Sequence, residues 1–196
     1  MTAGFATPVL SAQTTFRAVL NALARPGSVH PITSVVSAPL PLSPGAAALA
    51  LTLCDHDTPI WLDDSLRSAA PAVAWLRFQC GSTIVDDSRA AAFAFVSRPS
   101  ELPPLDRFNP GMLDYPDRST TLVLQVESLR SGSALLLTGP GIRGRQSLRG
   151  SPLPRDIAEL LAANRNLFPH GIDLILVTAN EVAALPRSTR VVAEED

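Results

Sequence analysis

Apolar residues recur at two periods along this chain, and the switches between the periods mark out its elements. Phe16, Val19, Leu20 and Leu23 fall three or four positions apart, the spacing that gathers side chains on one face of a helix. Ser11 stands where a hydroxyl can satisfy a free amide at that helix's start, and Arg25-Pro26-Gly27 ends it. Val29 to Val36 alternates loosely as a strand would. Beyond the Pro-rich link from Pro39 to Pro44, the Ala/Leu run Gly45–Cys54 predicts a buried helix closed by Asp55-His56-Asp57. Thr58–Leu62 predicts a short strand. Leu66 to Phe78 predicts a helix with Pro71 in an early turn.

Ala90–Val96 sets Phe93 and Phe95 among small residues in the period-two pattern of a strand. Prolines at 99, 103, 104, 110 and 116 make Arg98 to Asp117 a surface loop, a natural place for partner contact. Thr120–Glu127 and Ala134–Thr138 read as two strands joined around Ser131-Gly132-Ser133 in an antiparallel pair. Pro154–Asn166 reads as a helix with Ile157, Leu160 and Leu161 on one face. Ile172–Thr178 is apolar enough for a central strand. Asn180-Glu181 then turns the chain into Val182–Leu185, its antiparallel neighbour, and Val191-Val192 extends that edge. There is no internal repeat. The expected architecture is α/β, a mixed sheet with flanking helices, and 196 residues fit a single domain spanning 1–196.

Composition narrows the function classes. A net charge of −2 with no basic run argues against nucleic-acid binding. No apolar segment approaches the roughly 20 residues that cross a bilayer. The first ten residues lack the basic start and apolar stretch of a secretory signal, so a cytoplasmic location is expected. Cys54 and Cys80 lie too far apart for a CxxC site and read as reduced, inert thiols. All 16 basic residues are arginine. Without lysine there is no Schiff base for pyridoxal phosphate and no P-loop lysine.

Three clusters could carry chemistry. Asp55, His56 and Asp57 could bind a metal or act as acid and base, but adjacent side chains rarely converge on one centre, which favours turn capping. His170 stands at the entrance of a strand, next to Gly171. Asp173, inside that strand, needs a partner if buried, and Arg187 and Arg190 are the candidates. Gly139 and Gly141, followed by Arg143, Arg145 and Arg149, offer backbone amides and guanidiniums that suit phosphate. Pro140 lacks an amide, however, and a surface turn bearing solvated arginines is the plainer reading. Trp61 and Trp75 read as core or interface anchors.

Several segments in order resemble the PhnH family. They are Phe16-Arg17-Ala18-Val19-Leu20 with Pro26-Gly27, Leu51 to Leu62 with its Cys54-Asp55-His56-Asp57-Thr58-Pro59 centre, and Leu76-Arg77-Phe78. Leu135 to Ile142, Phe168 to Leu176 and Pro186-Arg187-Ser188-Thr189-Arg190 complete the set. The resemblance implies a subunit of the carbon–phosphorus lyase core complex in phosphonate breakdown, with G, I and J subunits as partners and K and L associated. The implied reaction belongs to the assembly: phosphonate displaces adenine from ATP to give a ribose 1-phosphonate 5-triphosphate. The implied fold is that of the large domain of pyridoxal-phosphate-dependent transferases without the cofactor, and a homodimer is expected when partners are absent. No cofactor is expected, ATP being a substrate of the assembly. The competing expectations are a metal-dependent hydrolase using Asp55, His56, Asp57, His170 and Asp173, or a nucleotide- or phosphate-binding protein using Arg143 and Arg145.

Overall fold

The computed structural model describes residues 4–34 and 36–192. The helical elements are α1 (Pro8–Ala24), α2 (Pro44–Leu53), α3 (Asp64–Ser68), α4 (Ala70–Cys80) and α5 (Ile157–Arg165). The strands are β1 (His30–Pro31), β2 (Ile60–Leu62), β3 (Phe93–Val96), β4 (Thr121–Gln125), β5 (Ala134–Thr138), β6 (Gln146–Arg149), β7 (Asp173–Val177), β8 (Glu181–Leu185) and β9 (Arg190–Val192). Six strands form a mixed sheet in the order β1-β8-β7-β4-β3-β2, in which β2, β3, β4 and β7 run parallel. The other three form an antiparallel sheet, β6-β5-β9. The architecture is α/β with a mixed sheet and flanking helices. No helix among the described residues is long and apolar enough to cross a membrane.

Register explains the composition of the central strands. Trp61, Ala94, Leu122, Leu174 and Leu185 lie in one row across the large sheet, and Leu62, Phe95, Val123, Ile175 and Ala184 in the next row face the other way. Each face is covered, so β4 and β7 are apolar almost throughout. The second row meets α1, α2 and α4 through Val19, Leu49, Trp75 and Leu76. The first row meets the small sheet, α5 and the Pro-rich loop through Leu137, Leu148, Leu161, Leu105 and Phe108. The chain changes face around the outer edge of β2, where Ile84 adds a single parallel bridge to Ile60.

Several expectations need correction. Helix α1 starts at Pro8, three residues before Ser11, and its buried residues are Thr15, Ala18, Val19 and Ala22, leaving Phe16 and Leu20 about half exposed. The proposed helix from Leu66 to Phe78 is two helices. Asp63 caps α3 through the Leu66 amide at 2.9 Å, and Ala69 with Pro71 restarts the chain as α4. The strand expected from Val29 to Val36 shrinks to His30–Pro31, with Val35 outside the described residues. Strands β4 and β5 are not a hairpin but belong to different sheets. The eight residues between them exceed the usual 2–5 of a hairpin loop, and a strand buried on both faces needs neighbours on both sides. Strand β9 joins β5 instead of extending the β8 edge, because β1 already occupies that edge. The β7–β8 antiparallel pair forms as expected.

Helix α2 meets the sheet at Gly45, where an added Cβ would stand 2.0 Å from the Thr178 carbonyl oxygen. Gly45→Ala is expected to lower unfolding stability by about 2 kcal/mol or more through overpacking against backbone. Gly144→Ala, with φ +76° but nothing within 4 Å of the new methyl, should cost only about 1 kcal/mol. Urea midpoints of the two variants check the contrast.

Candidate functional site

The Asp55 corner is a closed turn. Helix α2 ends at Leu53, and the Asp55 carboxylate accepts from the Asp57 amide at 3.0 Å and the Thr58 hydroxyl at 2.7 Å. The Thr58 hydroxyl first, and the Asp57 amide second, hold this carboxyl below its usual pKa. The Ser82 hydroxyl donates to the Asp55 carbonyl at 2.8 Å and joins the turn to the chain after α4. His56 and Asp57 stand 3.3 Å apart and point into solvent. Their side chains make a turn and a surface pair.

The second corner is an ion-pair knot. Asp173 opens β7, and its Oδ1 accepts from the Arg187 backbone amide at 2.8 Å and from Arg187 Nε at 3.1 Å. Arg187 Nη2 reaches Asp173 Oδ2 and Ser119 Oγ, both at 2.5 Å, while Nη1 donates to the Pro116 carbonyl at 2.6 Å. The side chains are largely buried, at 14% and 22% exposure for Arg187 and Asp173. Of the two candidate partners, Arg187 is the one that pairs, and Arg190 lies apart, exposed at the start of β9. His170 is half-buried in the preceding turn, with its backbone amide on the Leu167 carbonyl at 2.9 Å. Gly171 adopts φ +128°, and its amide donates to the Pro110 carbonyl at 2.8 Å. The buried Asn164 side chain bonds both the amide and the carbonyl of Ile172, each at 2.8 Å.

The glycine turn after β5 owes its glycines to packing. A Cβ on Gly141 would stand 2.2 Å from the Ala24 carbonyl oxygen at the end of α1, and one on Gly139 would stand 3.0 Å from the Ser188 carbonyl oxygen. Arg143 and Arg145 are exposed, and Arg149 is the last residue of β6, donating to the Gly132 carbonyl at 2.7 Å.

Sequence reasoning passed over two features. Asp63, buried just after β2, accepts from the amides of Leu66, Ser97 and Arg98 and from the Ser97 hydroxyl, and so ties the carboxyl ends of β2 and β3 together. The signal was an Asp three residues before Leu66 at a helix start. Beside the outer edge of β2 lies a cleft of about 810 Å³. Trp61 lines it, meeting Phe108 edge-on at 5.4 Å. Its charged groups are partly engaged already: Arg67 pairs with Asp86, and Arg89 donates to the Asp106 carbonyl at 2.7 Å. Among the described residues no three His, Cys, Asp or Glu side chains gather as a metal-binding group.

These corners define an α/β protein whose most conspicuous polar residues fasten loops onto a sheet. Comparison with known proteins carries the identification further. Residues 3–192 match the family described as bacterial phosphonate metabolism protein PhnH. The chain belongs to that family. A Rhizobium meliloti (strain 1021) protein, named alpha-D-ribose 1-methylphosphonate 5-triphosphate synthase subunit PhnH, is 42% identical over 191 residues, covering 97% of this chain and 94% of the relative. The HtxG protein of Stutzerimonas stutzeri, named as a C-P lyase subunit, is 34% identical over 181 residues, covering 91% and 85%.

Asp173→Ala leaves the largely buried Arg187 without its carboxylate and is expected to cost about 3 kcal/mol, with Arg187→Lys failing to restore the forked contact. Denaturant unfolding of the two variants measures this. Burial pushes the Cys54 thiol well up and the Cys80 thiol to about 11. Both should therefore react slowly with a thiol reagent at pH 8 in the folded protein and fast in denaturant. Comparable rates in the two states would contradict the burial assigned to them.

Proposed function

We propose that this protein is an assembly subunit of the carbon–phosphorus lyase system, supporting formation of α-D-ribose 1-phosphonate 5-triphosphate from ATP and a phosphonate. The observation that carries the reading is the 42% identity, over nearly the whole of both chains, to a relative named as a subunit of such a synthase. Family membership over residues 3–192 supports the same pathway. In the reaction proposed for the assembly, the bond from the ribose anomeric carbon to adenine breaks and a bond to a phosphonate oxygen forms. The G, I and J subunits are the proposed partners, with K and L associated, in the cytoplasm.

The finer parts of the reading follow from it. Residues 1–196 act as one domain with a fold like that of the large domain of pyridoxal-phosphate-dependent transferases, without the cofactor. The absence of lysine agrees with this, since no Schiff base can form. In isolation the chain pairs with a second copy. The outward side of α1, where Val9, Phe16 and Leu20 are exposed, is an apolar face that such a copy or another subunit would cover.

A stand-alone metal-dependent hydrolase has less support. Asp55, His56 and Asp57 precede β2 and Asp173 opens β7, so the two corners sit at the amino ends of strands three spacings apart, roughly 14 Å.

Co-expression with the G, I and J subunits, followed by native mass spectrometry, tests the assembly reading. A complex containing this chain is expected, and the chain alone should release no adenine from ATP and methylphosphonate. Failure to join the complex, or adenine release by the isolated chain, would overturn it.

A further inference from the structure

Among the described residues, a groove beside α5 is lined by two arginines and no carboxylate. It lies between the last turn of α5 and strand β9, has a volume of about 350 Å³, and is walled by Ala162, Arg165, Asn166, Arg190, Val191 and Val192. The large cleft beside β2 offers a contrast, since there Arg67 and Arg89 stand among four aspartates.

Both arginines have unused donors among the described residues, and the Arg165 side chain is held in place. The Arg165 guanidinium lies 4.6 Å from the centre of the Phe168 ring, a cation–π contact that fixes the plane and consumes no N–H. Its Nε is buried and has no hydrogen-bond partner among the described residues. A buried donor on a charged group is costly to leave unsatisfied and points to a missing acceptor. Arg165 also sits in the last turn of α5, where the negative end of the helix dipole favours a cation. Arg190 is fixed by its backbone, which pairs with Thr138 in the small sheet, and its guanidinium is exposed without an ion pair among the described residues.

Two guanidiniums with free N–H groups suit an acceptor that carries several oxygens and more than one negative charge. We propose that the groove between α5 and β9 binds a tetrahedral phosphorus oxyanion through Arg165 and Arg190. Two sources share this chemistry: a phosphonate, and the terminal phosphate of a polyphosphate chain. The inference rests on the assembly reading only for naming those sources. The glycine turn with Arg143 and Arg145 is a different place, and the new site does not use it.

Isothermal titration of the intact isolated chain at low salt, with methylphosphonate and with inorganic tripolyphosphate, tests the site without any partner subunit. Saturable binding of at least one probe below roughly 1 mM is expected, weakening as salt is raised. Arg165→Gln and Arg190→Gln should each weaken it about tenfold or more. Ala162→Asp, which places a carboxylate in the groove at an exposed helical position, should abolish it. Arg77→Ala on α4, across the large sheet, should bind as the wild type does. Tighter binding of methylphosphonate assigns the site to the phosphonate, and tighter binding of tripolyphosphate assigns it to the nucleotide. No binding of either probe, or undiminished binding in Arg190→Gln and Ala162→Asp, would overturn the proposal whether or not the chain joins its complex.

Discussion

Arg187 is the fastening on which one side of the molecule depends. The 20 residues from Arg98 to Asp117 form no strand and only short 3-10 turns, yet they cover one face of the central sheet through Leu105 and Phe108. A segment with so few backbone bonds of its own must be held by others. Arg187 supplies the hold, gripping Asp173 at the head of β7 and the loop's end at Pro116 and Ser119. The Gly171 amide on the Pro110 carbonyl adds a second tie from the same turn. Charge burial makes the arrangement all or none, because either partner left alone is an unpaired ion largely shut away from water.

The other end of the sheet repeats the device with a single carboxylate. Asp63 receives amides from both sides of the β2–β3 pair, so the change from strand to helix and the exit from β3 are fixed by one side chain. Polar residues buried at strand ends thus set the shape of the subunit. Among the features that remain open outward are the apolar side of α1, the cleft at the β2 edge and the arginine groove beside α5.

Much of this was legible from local pattern, and the failures have physical causes. The β7–β8 pair showed itself because an apolar run, an Asn180-Glu181 turn and a second apolar run are all contiguous in sequence. Asp173 was readable as a buried acid in need of a cation, but choosing Arg187 over Arg190 required knowing which of the two lies behind β7. The β4–β5 hairpin failed because strand pairing depends on what covers each face, and two neighbouring apolar strands look alike whether they share a sheet or lie in separate ones. Strand β6 was missed because Leu148 is its one apolar residue and its backbone pairing with β5 leaves no periodic trace. Arg165 escaped notice because nothing in a helix-ending Asn-Arg-Asn shows that a guanidinium will be shut in beside Phe168.

Helix α2 has a bearing on how such sequences drift. Ala46, Ala47, Ala48, Leu49 and Ala50 have no exposure at all, and Gly45 touches the backbone of the neighbouring strand end. A slot this narrow accepts small side chains and rejects each added methylene, whatever the mutational pressure. A genome that pushes its codons toward alanine therefore pushes this helix toward what its packing already demands. Lineages under the opposite pressure should keep alanine here long after shedding it from exposed positions, so alanine in this segment records geometry, and alanine on the exposed surface records ancestry.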